Sequence, residues 1–168
     1  MKLYTKISLI LLIPLFSGLS SCIKEDQYPV VPQIEFSGYG IYSAVDGTDS
    51  ACKINISYTD GDGDIGLTED DILEPYKYNY YLKWMQLVDG QMIEVVLPND
   101  SITFNARIPI LTPSGRNKNI KGDISMNFDL YFNSYLLTSD TIGFEIYIID
   151  RALNKSNTVT TPKLAIRR

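Results

Sequence analysis

Apolar and polar residues alternate along much of this chain, with a period of two. One run places Cys52, Ile54, Ile56 and Tyr58 on one face, with polar residues between them, and the pattern recurs in several later runs. A period of two predicts β-strands that bury one face. The pattern predicts eight strands, near residues 33–41, 51–58, 76–87, 91–97, 101–110, 120–132, 142–149 and 157–167.

Turn signals separate the predicted strands. Asp89-Gly90 predicts a two-residue hairpin turn, and Pro162 predicts that the last strand lies at a sheet edge or carries a bulge. Many short strands with regular turns are typical of sandwich folds. We therefore expect an all-β fold with one domain over 33–168. It would be an antiparallel β-sandwich of about 7–8 strands, with immunoglobulin-like or fibronectin type III-like character.

The amino-acid composition excludes several kinds of functional site. The chain has no histidine, 15 basic and 20 acidic side chains, and a formal net charge of −5. Without histidine, Ser-His-Asp catalysis and zinc sites of the His/Cys type are excluded. An acidic chain is also a poor candidate for nucleic acid, because phosphates need Lys and Arg. We expect no nucleic-acid partner and no enzyme activity, although a pair of carboxylates for hydrolysis stays open as a distant alternative.

The N-terminus predicts an export signal. Two lysines precede the apolar run 7–16, and small residues follow it. This layout is that of a secretory signal peptide, here 1–21, and the apolar run is too short to span a bilayer as a helix. The next residue is Cys22, and 22–32 then predicts an extended tether, since Pro29 and Pro32 disfavour helix.

The stretch "YTDGDGDIG", 58–66, is the strongest candidate for a functional site. Carboxylates two residues apart on a tight loop can converge on one Ca²⁺ ion, which prefers six to eight oxygen ligands. Asp60, Asp62 and Asp64 fit the first positions of an EF-hand loop, but Ile65 stands where that loop needs glycine. We therefore expect a different kind of calcium loop. The alternative is a solvated turn, because Asp and Gly are good turn formers.

Topology adds a fourth carboxylate to the predicted calcium site. In an immunoglobulin-like sandwich the loop after the second strand and the loop before the last strand lie at the same end. Asp150 is in the second of these loops and could approach the three aspartates of 58–66. Four carboxylates at one end would repel one another without a counter-ion.

An aromatic stripe is the second candidate site. On a strand, Tyr76, Tyr78, Tyr80, Leu82 and Trp84 would share one face. Such a stripe could stack on sugar rings, but an aromatic residue on the third strand of a sandwich is more often core. We expect the core for the last two of these residues and leave the first two open.

The remaining candidates for chemistry are one further cysteine and three possible glycosylation sites. Besides Cys22 the chain has a single cysteine, Cys52, which the alternation places in the core as a small apolar residue. Three Asp-Ser/Thr-apolar triplets resemble an O-glycosylation sequon, and their acceptors are Ser50, Ser101 and Thr141. The alternative is turn chemistry at strand starts.

Several motifs resemble those of known bacterial proteins. "LSSC", 19–22, resembles the lipobox of bacterial lipoproteins, which implies acylation of Cys22. "CIKED", 22–26, resembles the surface-export signal of Bacteroidota-type lipoproteins, and the sequons above are of the kind that these bacteria use. The "DGDGDIG" loop and "DRALNKSN", 150–157, resemble surface lipoproteins of this type that have an Ig-like domain and no assigned function. Leu153 replaces the glycine usual in the second motif.

These resemblances imply a location and a function class. The protein would be held in the outer membrane by acyl chains on Cys22 and would face the cell exterior. We expect an Ig-like binding or interaction module, calcium-stabilised and without catalytic activity, whose partner is a glycan or an envelope protein. The alternative is a structural or accessory subunit of an outer-membrane assembly.

Overall fold

The computed structural model describes residues 27–98, 103–111, 119–131 and 133–168. The predicted signal peptide, Cys22 and Ser101 lie outside these residues. Within the described residues no helix is long and apolar enough to cross a membrane. A short 3-10 helix covers Ser134–Leu136. The strands are β1 (Gln33–Ser43), β2 (Asp49–Asp60), β3 (Tyr80–Val88), β4 (Gln91–Glu94), β5 (Ile120–Asp129), β6 (Thr141–Ile148), β7 (Val159–Thr160) and β8 (Leu164–Ala165).

The strands form two antiparallel sheets. The first sheet has the order β1-β2-β5, and the second has the order β4-β3-β6-β7, with β8 also paired to β6. The second strand therefore pairs with the fifth, and the third with the sixth. Immunoglobulin-like sandwiches divide their A-B-E and C-F-G strands between two sheets in this way. The predicted all-β antiparallel sandwich is confirmed.

The core lies between the two sheets. The inward residues of β2 are buried as the alternation predicts, and Trp84 of β3 packs against Phe128 of β5 with ring centroids 4.9 Å apart. Phe144 of β6 contacts the same Phe128 ring, also at 4.9 Å. Cys52 is a buried free thiol whose pKa is raised by burial to about 11. It is an apolar core residue, as predicted.

A predicted hairpin turn and a predicted edge strand are confirmed. Asp89 and Gly90 have φ of 49° and 82° and form the two-residue turn between β3 and β4. β7 and β8 are two short halves of one edge strand along β6. The gap between them contains Pro162, which has no N–H for a continuous ladder.

The predicted strand near 101–110 is wrong in its described part, 103–110. This segment makes only isolated bridges, one to Tyr80 and one to Leu67. A buried side chain replaces the missing ladder, because Asn79 donates to the carbonyl of Ile108 at 3.2 Å and accepts from its N–H at 2.6 Å. An amide side chain can satisfy both backbone groups of one residue in this way, and the hydrophobic pattern carries no sign of it.

The predicted start of the third strand at 76 is also wrong, since β3 begins at Tyr80. The residues before it form a loop that Arg107 holds in place. Its guanidinium donates to the carbonyls of Thr68, Asp71, Tyr76 and Lys77. Five donors in a planar fork suit such a cluster of carbonyls.

Candidate metal centre

The alternation of inward and outward residues along β2 places Asp60 at the buried end of this strand. Inward residues of this strand fall at even numbers, and Asp60 takes the next inward position after Tyr58. Its side chain therefore points toward the core, and the residue is 0% exposed. A carboxylate in this position loses its hydration, which costs free energy unless hydrogen bonds or a cation replace it.

The loop after β2 curls back onto the Asp60 carboxylate. Oδ2 of Asp60 accepts hydrogen bonds from the N–H of Asp64 at 2.9 Å and from the N–H of Ile65 at 3.3 Å. Ile65 is itself fully buried and returns the chain to the core. These contacts fix the loop so that the side chains of its aspartates face one another.

Three carboxylate oxygens meet inside this loop. Asp60, Asp62 and Asp64 each offer an oxygen, and these atoms lie within 4.8 Å of one another. In each residue Oδ1 is sealed from solvent and has no hydrogen-bond partner. Elsewhere in the described part of the chain, two other buried atoms share this property, the hydroxyl of Tyr80 and Nε1 of Trp84. Those two are neutral donors, whereas the aspartate oxygens are adjacent and carry negative charge when ionised.

Glycine is required at two positions of the loop. Gly66 has φ of +113°, and a Cβ there would lie 2.3 Å from the carbonyl oxygen of Pro109. A Cβ on Gly61 would lie 2.3 Å from the carbonyl oxygen of Tyr28. The glycines therefore allow two other segments of backbone to press against the loop from outside.

The electrostatics of the loop favour an added positive charge. Burial raises the pKa of Asp60 to about 6, and the neighbouring charge of Asp62 adds to this. Burial also raises the pKa of Asp64, followed by the charges of Asp150 and Asp62. Arg151 partly opposes the rise at Asp64. The carboxylates thus repel one another more strongly than this arginine compensates.

Asp150 lies beside the loop but outside the group of converging oxygens. Its Oδ1 accepts from the N–H of Asn154 at 2.7 Å, and its Oδ2 accepts from Nδ2 of the same residue at 2.9 Å. The two loops are joined through Asp64 instead, whose Oδ2 accepts from the N–H of Ala152 at 3.0 Å. The topological prediction placed Asp150 near Asp64 correctly, and the three closest carboxylates are those of 58–66 alone.

Leu153, which stands where the resembled motif has glycine, adopts a conformation that is usual for glycine. Its φ is +66°, in the left-handed region. Asp150 closes the turn by accepting the N–H of Leu153 with its carbonyl at 3.1 Å. The turn therefore holds leucine in a left-handed conformation, at a cost of about 1–2 kcal/mol for a non-glycine residue.

The aromatic stripe divides as the core interpretation predicts. Tyr80, Leu82 and Trp84 are buried, so they present no ring to a sugar. A different pair, Tyr81 and Tyr147, stacks on the outer face of the second sheet with ring centroids 4.8 Å apart. The sequence pattern did not indicate this pair, because the two rings come from strands far apart in the chain.

The outer pair is already partly covered. Nζ of Lys155 lies 3.7 Å from the ring centroid of Tyr147. A sugar stacking on that ring would have to displace the ammonium group, which a cation–π contact holds. The pair is therefore a poor sugar platform as it stands.

The outer face of the first sheet holds a cavity of about 500 Å³. Glu35 and Asp123 stand on its two sides, with Ser57 and Thr59 between them. Both carboxylates are exposed on a polar face. A glycosidase general acid is usually shielded in an apolar environment, so this groove offers little support for the hydrolase alternative.

The predicted glycosylation acceptors have defined places where the structure describes them. Ser50 lies near the start of β2, and its Oγ donates to the carbonyl of Tyr42 at 2.9 Å. Thr141 begins β6 and is half-buried. Modification of these residues stays a prediction.

Comparison with known protein families, with curated proteins and with solved structures found no match for this chain.

Proposed function

We propose that this protein is a lipid-anchored β-sandwich of the cell surface that binds Ca²⁺ in the 60–64 loop and acts as a non-enzymatic binding or interaction module. One observation carries the calcium part of the proposal: three aspartates whose carboxylates converge each have an Oδ1 that is sealed from water and lacks a hydrogen-bond partner. Buried charges are normally paired or bound to a metal. A solvated turn would leave these oxygens in contact with water.

Calcium suits the group better than other common cations. Ligand oxygens lie about 2.3–2.6 Å from Ca²⁺, so two of them on opposite sides of an ion are separated by about 5 Å. A spread within 4.8 Å is compatible with one shared ion. Mg²⁺ usually keeps several waters, which fits poorly with oxygens that are closed to solvent. Zinc prefers nitrogen and sulfur ligands, and the chain has no histidine.

Some residues of the loop would bind the ion directly, and a neighbouring residue would contribute charge. Asp60, Asp62 and Asp64 would supply carboxylate oxygens, and backbone carbonyls or water would complete the six to eight ligands that Ca²⁺ takes. Asp150 would contribute its charge through its effect on Asp64. A bound cation would relieve the mutual repulsion and fix the connection between β2 and β3.

The anchor and the module role rest on the sequence. The lipobox and the acidic export signal at 22–26 support acylation of Cys22 and display on the outer face of the outer membrane. The chain has no histidine for the common nucleophile–base pairs, which favours binding over catalysis. The ligand would be a glycan or an envelope protein. The alternative, an accessory subunit of an outer-membrane assembly, predicts stoichiometric co-purification with a fixed partner.

Calorimetric titration tests the calcium site. The purified mature protein, stripped with chelator, is titrated with CaCl₂ at pH 7.5, and we expect one site with millimolar affinity or tighter. The Asp62→Asn variant should bind more weakly, and Asp123→Asn should bind normally, since Asp123 lies on the exposed face of β5. No binding heat from the wild-type protein, with the fold intact, would overturn the site.

Intact mass tests the anchor and the sequons. Protein purified from its native host should carry the mass of acyl chains on Cys22 after loss of residues 1–21. A further mass increment removed by chemical deglycosylation would confirm the sequons. A mass equal to the lipidated polypeptide would end the glycosylation prediction, and an unlipidated mass would end the anchor.

A further inference from the structure

We propose that one end of the sandwich rests on the lipid bilayer. It is the end that carries the 60–64 loop, here called the aspartate loop. Exposed aliphatic side chains of two loops would enter the membrane interface. This inference rests on the acylation of Cys22 proposed above and does not depend on calcium binding.

Covalent geometry limits how far this end can be from the membrane. Four residues separate Cys22 from Gln27, where the described structure begins. Five peptide units span at most about 18 Å when fully extended. An acylated Cys22 would therefore keep Gln27 within that distance of the lipid surface.

The tether is fixed to the sandwich as soon as it enters the described structure. The N–H of Tyr28 donates to Oδ1 of Asn119 at 2.9 Å, and the carbonyl of Pro29 accepts from the N–H of Gly61 at 2.8 Å. Gly61 belongs to the aspartate loop. The end of the domain that carries this loop is thus the end nearest the anchor, and it cannot swing away freely.

Large aliphatic side chains are exposed at this same end. β2 and β6 end here and β3 begins here, because Tyr80 pairs with Ile148. The connection between β2 and β3 exposes Ile72 by 65% and Leu73 by 75%. The connection between β6 and β7 exposes Leu153, and the tether itself exposes Val30 and Val31. Exposed apolar patches mark sites of contact with proteins or membranes, and these side chains gather at one end of the sandwich.

The opposite end has a different composition. Among the residues of that end that the structure describes, the exposed large hydrophobic side chains are Val45 and three tyrosines, Tyr42, Tyr131 and Tyr135. The anchor end therefore holds the exposed pair of neighbouring aliphatic residues as well as the short tether. Both observations select the same end.

The acidic residues beside the exposed aliphatic pair limit the kind of lipid headgroup that this end could contact. Glu69, Asp70 and Glu74 are exposed next to the pair Ile72–Leu73, so a strongly anionic surface would repel this loop. A zwitterionic headgroup layer accommodates the acids while the aliphatic side chains reach the acyl boundary. Interfacial segments bury about 5–10 Å into that boundary.

Site-specific fluorescence in vesicles tests the docking. The acylated protein is reconstituted into phosphatidylcholine vesicles with a single added cysteine that carries a polarity-sensitive dye. Leu73→Cys and Leu153→Cys probe the two loops, and Val45→Cys is the matched control at the far end. Cys52 is fully buried, and burial raises the pKa of its thiol to about 11, so it should not react. Nitroxide-labelled lipids then report contact with the bilayer.

We expect a blue-shifted emission and several-fold quenching by nitroxide lipids at positions 73 and 153, and neither effect at position 45. Ile72→Asp should reduce the quenching at position 153, because it lifts the same end off the lipid. If the protein floats with the vesicles but both labels report water, the docking is overturned. A blue shift without nitroxide quenching would show that protein covers the loop, which also overturns it. A protein that does not float refutes the anchor, and with it the docking.

Discussion

Replacing Asp60 by Asn separates the cost of the buried charge from the benefit of a bound cation. The substitution keeps an oxygen acceptor for the N–H groups of Asp64 and Ile65 and removes the negative charge. In the metal-free protein, burial and the charge of Asp62 raise the pKa of Asp60 from 3.8 to about 6. A rise of about two units corresponds to about 3 kcal/mol of destabilisation at neutral pH. Without calcium, Asp60→Asn should therefore stabilise the fold by up to that amount.

The sign of the pH dependence follows from the raised pKa. An acid whose pKa is higher in the folded state than in the unfolded state binds more protons when folded. Its contribution to stability is intact below about pH 4 and is lost as the pH rises through about 6. The metal-free wild-type protein should lose stability across this window, and Asp60→Asn should lose clearly less.

Calcium should reverse the order of the two proteins. A free Ca²⁺ concentration one hundred times the dissociation constant stabilises a folded protein by about 2.7 kcal/mol. The wild type should gain this amount, and Asp60→Asn should gain much less because it lacks one charged ligand. Urea unfolding can be followed through the single tryptophan, Trp84, which is buried in the core. Asp123→Asn is the control and should follow the wild type in both conditions.

The result that refutes this reasoning is specific. If Asp60→Asn is less stable than the wild type in chelator at pH 7.5, the Asp60 carboxylate is not a destabilising charge in the metal-free fold. If calcium also stabilises both proteins equally, the 60–64 loop is not the binding site. Either outcome would return the loop to the interpretation of a turn that water or hydrogen bonds satisfy.

Three further substitutions test the frame around the site, each measured as the free energy of unfolding in urea. Gly66→Ala should destabilise by about 2 kcal/mol or more, because the residue has positive φ and its Cβ would meet backbone, whereas Gly40→Ala has open space and should cost about 1 kcal/mol or less. Leu153→Gly should stabilise by about 1 kcal/mol, since φ is +66° there; an unchanged or lower stability would contradict the strain. Asn79→Ala should cost about 2–5 kcal/mol by leaving two buried backbone groups unpaired, and the exposed Asn127→Ala should be close to neutral.

The fold was predictable wherever a strand buries one face. β2 and β6 follow the period of two closely, and the hairpin at Asp89-Gly90 needs only its two turn residues. The prediction failed at 103–110, where alternation suggested a strand. The backbone of that segment is satisfied at Ile108 by the Asn79 side chain and at Ala106 by an isolated bridge to Tyr80, and not by a continuous ladder. Hydrophobic patterns do not encode such side-chain substitutes for a ladder.

The three aspartates of the candidate site that lie in one segment, 60–64, could be predicted from the sequence. Asp60 inherits the inward direction of β2, and the glycines let Asp62 and Asp64 turn back toward it, so spacing alone brings three carboxylates together. The fourth carboxylate depends on competition between partners. Strand topology brings Asp150 near Asp64, but both of its oxygens are taken by Asn154, four residues further along. Proximity across two loops follows from the fold, whereas the direction of a side chain follows from the hydrogen bonds of its own turn.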